Sequence, residues 1–244
     1  MSKFVFPVIF TVIGMILLGI FLTKRIKGAT PAVAILKSWI SVGFMGVAVS
    51  SVIGRSLSGR ELVFALLVIC GLFFGLLGDI WLDLKYAHRE YDKPYTYAGI
   101  VSFIMGHIMY CSALIFYFQK DCGKDAILIP LAVCVVITIL MVFSEKPMKV
   151  NYGDYKPIII IYSFFITAFP AFAVGYARLF AFKNVPLDIL LVASLVFAVS
   201  DAILNGTYFG KGKDRPVDII TNHVTYYWAQ YAVAFTLMFI GSAA

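Results

Sequence analysis

Gly71-Leu72-Phe73-Phe74-Gly75-Leu76-Leu77-Gly78-Asp79-Ile80-Trp81-Leu82-Asp83-Leu84 lies in an apolar run long enough to cross a bilayer, yet it carries two carboxylates. An ionised Asp at membrane depth costs about 2.5–3.5 kcal/mol even on the lenient insertion scale, so it faces a protein interior or a water-filled cavity and marks a functional site by default. Asp79 is therefore the first candidate for chemistry; the plain alternative is a buried carboxylate that only ties helices together. Asp83 follows at i+4 on the same helical face, one turn nearer the segment end, where a water-solvated structural role and a chemical one stand level.

The rest of the chain has the same solvent preference. With 61% hydrophobic and 14% charged residues and a mean hydropathy of +0.93, it has the composition of an integral membrane protein rather than a soluble domain. Apolar runs mark Phe4–Leu22, Pro31–Gly54, Glu61–Leu84, Tyr95–Phe118, Ala126–Phe143, Pro157–Ala177, Leu187–Phe209 and Val217–Gly241. Each is long enough for roughly 30 Å of hydrocarbon. The expectation is an all-α, polytopic bundle of eight transmembrane helices forming one domain over residues 1–244. The first run is read as a retained helix rather than a signal peptide, because Lys24, Arg25 and Lys27 follow it as a basic stop.

Cys70, Cys111, Cys122 and Cys134 have no C-x-x-C spacing, so neither a disulfide frame nor a zinc knuckle is indicated. The net charge of +7 suits loops that meet anionic headgroups; nucleic acid is not an expected partner, and the lipid bilayer is. Loops one, three, five and seven hold three basic residues each (Lys24, Arg25, Lys27; Lys85, Arg89, Lys93; Lys146, Lys149, Lys156; Lys211, Lys213, Arg215), whereas the even loops hold two each and Lys3 lies on their side. The positive-inside rule puts the odd loops in the cytoplasm.

At 1.5 Å per residue, Lys37 sits about 9 Å, Asp79 roughly 7 Å and Asp201 about 12 Å from the odd-loop end of their helices. Tyr162 falls in the same half, with His107 and Tyr227 near the centre. Side chains from separate helices thus share a level, as one polar cavity opening toward the odd loops requires. Ser200 and Asn205 flank Asp201. Tyr110 shares a face with His107 at i+3, and Tyr226 and Gln230 are one turn apart. Of the three histidines, His88 lies in a loop and no pair has i, i+4 spacing, so no metal and no cofactor are expected.

Gly-Asp in helix three, Gly-His-x-x-Tyr in helix four, Ser-Asp in helix seven and Thr-Tyr-Tyr-x-Ala-Gln in helix eight, with a Lys in helix two, resemble the YhhN family of membrane proteins, whose animal members include lysoplasmalogenases. The resemblance implies hydrolysis of the vinyl-ether bond of a lysophospholipid to a fatty aldehyde and a glycerophospho-base, in a multi-pass protein of a bacterial inner membrane or a eukaryotic endomembrane. It differs from the family pattern at Ser38, where members commonly have Pro.

Vinyl-ether hydrolysis needs a proton delivered to carbon, stabilisation of an oxocarbenium-like cation and addition of water. Two carboxylates in different environments can do this. Asp79, among apolar neighbours, is assigned the acid, and Asp201, with Ser200 and Lys37, the cation stabiliser; the two roles are exchangeable. His107, Tyr226, Tyr227 and Gln230 would position water and the glycerol oxygens, Tyr110, Tyr162 and Asn205 would complete the binding wall, and basic odd-loop residues would meet the phosphate. The alternative from another class is a proton-coupled lipid or small-molecule transporter using the same acids. Oligomeric state is left open.

Overall fold

A computed structural model describes residues 4–210 and 215–241; Lys3, Lys211 and Lys213, used above for orientation, lie outside them. The chain folds into helices α1 (Val5–Arg25), α2 (Pro31–Val52), α3 (Gly59–Ala87), α4 (Asp92–Phe118), α5 (Asp125–Val142), a short α6 (Glu145–Met148), α7 (Lys156–Leu179), α8 (Val185–Phe209) and α9 (Pro216–Thr236). Among the described residues the only β pairing is an isolated bridge between Val150 and Gly210.

Helix starts follow local chemistry. Thr30 and Asn184 accept hydrogen bonds from the backbone N–H groups of Val33 and Leu187, and Ser58 forms a capping box with Glu61. Proline stands in the first turn of α2, α7, α8 and α9, where its missing N–H costs nothing.

Seven helices, α1–α5, α7 and α8, are long and apolar enough to cross a membrane, which makes this an integral membrane protein. The eighth expected span, Val217–Gly241, is not among them, and its helix stops at Thr236. Leu237–Ile240 then turn: the N–H groups of Leu237, Met238 and Phe239 take the helix-end carbonyls of Ala234, Phe235 and Thr236, and the Arg55 guanidinium donates to the carbonyls of Leu237 and Ile240 beyond them.

Helix α3 packs along α4, α8 along α9, and α1 along α2; α5 lies outside, against α7. The outer face of α5 is aliphatic, with Leu128, Ile129, Val136 and Leu140 exposed to the surroundings. Small residues set the inner spacing. A Cβ at Gly78 would come within 2.7 Å of the Phe103 ring, and one at Gly106 within 3.1 Å of the Gly71 carbonyl, so α3 and α4 approach backbone to backbone. This close contact turns the acidic face of α3 toward α2 and α9.

Candidate active site

Lys37 of α2 is buried and its ammonium lies 3.3 Å from Asp79 and 3.0 Å from Asp83, both on α3. Asp83, for which the sequence leaves a solvated structural role and a chemical one both open, is 4% exposed and so not solvated. The two carboxylates are one turn apart on the same face, so a single cation from the neighbouring helix reaches both. Asp79 also accepts hydrogen bonds from Ser41 (2.6 Å) and from the Tyr226 hydroxyl (2.8 Å). A charged pair at this depth persists only when its remaining lone pairs are satisfied, and both oxygens of Asp79 have partners.

Asp201 of α8 stands apart from that cluster. Its partner is Tyr162 of α7, whose hydroxyl donates to it. The expected pairing of Asp201 with Lys37 does not form, because Lys37 is occupied on α3. Ser200 does not support Asp201 either: its hydroxyl donates to the Asn222 carbonyl, and the Asn222 amide returns hydrogen bonds to Ser200, joining α8 to α9.

Asp79 and Asp201 nevertheless line the same space. A cavity of about 410 Å³ is walled by Lys37, Asp79, Asp83, Asp201, His223 and Tyr226 and reaches Arg25–Gly28 of loop one. A second cavity of about 310 Å³ is mostly apolar, with Ile137, Met141, Ile159 and Ile166 among its walls. The two share Leu82, Phe103, Asp201, Leu204 and Tyr208. Asp201 therefore sits where a polar chamber and an apolar chamber meet.

The remaining sequence candidates take other places. Tyr162 and Asn205 line the apolar chamber, and the Asn205 amide donates to Tyr152. Tyr110, Tyr227 and Gln230 line neither cavity and stand behind the wall. Tyr110 donates to Gln230 (2.8 Å), Gln230 to Tyr226 (3.1 Å), and Tyr226 to Asp79, a directed chain that orients the carboxylate. Tyr227 donates to the Lys37 carbonyl. His107, expected to position water, is 1% exposed, ringed by Tyr110, Tyr162, Phe169 and Phe197, and has no hydrogen bond on either ring nitrogen.

Several contributors were not selected from the sequence. Ser41 is one turn after Lys37, a spacing that could have flagged it. His223 lines the polar cavity, and its Nδ1 lies 2.8 Å from the Ile219 carbonyl. A ring nitrogen facing a carbonyl must donate, so Nδ1 carries the hydrogen and Nε2 is left as an acceptor. Tyr86 and Tyr208, which the sequence does not single out, also line the cavity.

Among the described residues no three His, Cys, Asp or Glu side chains converge as metal ligands. No curated protein and no solved structure is significantly similar to the chain. The YhhN family model matches residues 44–237, a stretch that holds both site carboxylates and their tyrosine partners, and the chain belongs to the YhhN family.

Proposed function

We propose that this protein is a membrane-embedded hydrolase that cleaves the vinyl-ether bond of lysoplasmalogens, releasing a fatty aldehyde and a glycerophospho-base. The family includes lysoplasmalogenases. The observation that carries the reading is Asp201 at the junction of a polar and an apolar chamber. A lysolipid has the same division, and its vinyl-ether bond lies between the hydrocarbon chain and the polar glycerophosphate.

Lys37 decides the roles of the carboxylates. Asp79, beside the cation and under two hydroxyl donors, is suited to carry negative charge; Asp201, with a tyrosine and, among the described residues, no cation within ion-pair distance, is suited to give up a proton. This exchanges the assignment made from the sequence. Asp201 protonates the alkene carbon remote from the ether oxygen, and the positive charge spreads over the other alkene carbon and that oxygen. Asp79 stabilises this cation. Water held by Nε2 of His223 adds to the cationic carbon and leaves its proton on the ring. The resulting hemiacetal loses its hydroxyl proton as the carbon–oxygen bond to glycerol breaks and the glycerol oxygen is protonated. One water is consumed, and the proton on His223 returns to Asp201 through the cavity.

The test is incubation of purified protein with vinyl-ether, alkyl-ether and ester lysolipids. Aldehyde should appear from the vinyl-ether lipid alone and should persist in EDTA, since the mechanism uses no metal. Loss with EDTA and recovery with zinc would overturn the carboxylate chemistry. Proton-coupled uptake of lipid without aldehyde would favour a transporter.

The reading includes α9 as an eighth span, with the odd loops in the cytoplasm. Its polar side chains turn inward, Tyr226, Tyr227 and Gln230 being buried, while Ile220, Val224 and Trp228 form an exposed apolar stripe at four-residue spacing. An accessibility tag after Gly241 should then be reached from the same side as one in the 119–124 connection; opposite sides would remove the eighth span.

A further inference from the structure

The mouth of the polar cavity holds positive charge that the mechanism leaves unused. Arg25, in the last turn of α1, and Lys27, just beyond it, form the rim. The Arg25 guanidinium lies 4.5 Å from the centre of the Tyr86 ring, and its Nε is buried without a hydrogen-bond partner. Behind the rim, Lys85 is nearly buried, with its ammonium 3.8 Å from the centre of the Tyr208 ring and 5.4 Å from that of Tyr86. The acid nearest to Lys85 is Asp92, 3.9 Å away and largely exposed. Deeper in the cavity Asp79 and Asp83 share Lys37 as their counter-charge, and neither lies within ion-pair distance of Arg25, Lys27 or Lys85.

A cation at the end of α1 also complements the helix dipole. That role does not require the side chain to turn over Tyr86 or to hide a donor from water. A buried, unpaired donor is costly, and a tyrosine face replaces only part of a cation's hydration. An anion with several acceptor oxygens would make up the deficit, and a guanidinium fork matches two oxygens of one phosphate. Loop one lies at the membrane edge, the level of lipid phosphates.

We propose that Arg25 and Lys27, seated on Tyr86 and backed by Lys85, form a phosphate subsite that takes the phosphodiester of the lysolipid. The proposal rests on the hydrolase reading and adds that the protein selects phosphate-bearing ether lipids over neutral alkenylglycerols. The ligand chemistry is a phosphate group, from a lipid headgroup or from free phosphate.

The experiment compares wild-type protein with the Arg25→Gln/Lys27→Gln variant on two substrates, 1-alkenylglycerophosphocholine and 1-alkenylglycerol. The ratio of kcat/KM for the first over the second should fall about tenfold or more, the size of one or two charge-assisted hydrogen bonds. The loss should lie in KM, and Arg25→Lys should restore part of it. Because each ratio is internal to one protein, partial misfolding lowers both rates and leaves it unmoved. An unchanged ratio overturns the subsite. Glycerophosphocholine should compete; competition by inorganic phosphate alone would assign the rim to free phosphate and overturn the headgroup. If wild-type protein releases aldehyde from neither substrate, the hydrolase reading fails, and direct binding of lysophosphatidylcholine then decides the subsite: tenfold weaker binding by the variant supports it and equal binding overturns it.

Discussion

Asp201→Asn should lower aldehyde release at least about a hundredfold, the low end for general acid–base catalysis, while the protein remains folded and still binds lysolipid. Asn has nearly the shape of Asp and still accepts the hydroxyl of Tyr162, so packing between α7 and α8 is kept. What disappears is the transferable proton at the point where the two chambers meet. Tyr162→Phe removes the donor but keeps the acid and should cost less. Asp79→Asn should also impair turnover, by loss of the anion that stabilises the cation. The joint loss should be far smaller than the product of the single losses, because the two act as one unit. Steady-state aldehyde release, read beside lysolipid binding and the thermal midpoint, decides the matter. A folded Asp201→Asn protein with near-normal release would sink the proposed mechanism.

The largest effect on stability is expected at Lys37. Replacement by Met keeps a stem of similar length and removes the only cation within ion-pair distance of Asp79 and Asp83 among the described residues. Two buried carboxylates one turn apart would then face each other without a counter-charge. Removing one partner of a buried ion pair typically costs about 3–5 kcal/mol, most of it from the charge left behind. Lys37→Met should therefore lower the thermal midpoint in detergent and abolish activity. Lys37→Met/Asp83→Asn should recover part of the stability, since one stranded charge is gone, and the non-additivity would measure the coupling directly. Unaltered stability in Lys37→Met would mean that the ammonium does not compensate these carboxylates. Asp83→Asn is expected to cost much less turnover than Asp79→Asn, but because Asp83 is buried and takes a hydrogen bond from Lys37 it should lower the thermal midpoint as well.

The sequence by itself determined that this chain lives in a membrane and where its long helices begin, and it led to the expectation that Lys37, Asp79, Asp201 and Tyr162 share a level. These are properties of composition, capping chemistry and the fixed rise of a helix. Four short polar motifs in series also carried the YhhN resemblance before any geometry was known, and the family match covers residues 44–237.

Depth does not give azimuth, and this is where only the tertiary structure decided. Whether Lys37 meets Asp79 and Asp83 or Asp201 depends on how α2 and α3 are rotated about their own axes. For α3 that rotation is set by close contacts with α4, Gly78 on Phe103 and Gly106 on the Gly71 carbonyl, and for α2 by Gly43 against Tyr231 and Gly46 against Phe10. The same rotation buries Asp83, puts Gln230 and Tyr110 behind Asp79 rather than in the cavity, and closes aromatic rings around His107. The union of the two chambers at Asp201 needs side chains from α3, α4 and α8 at one point, a coincidence with no local signature in any of those helices.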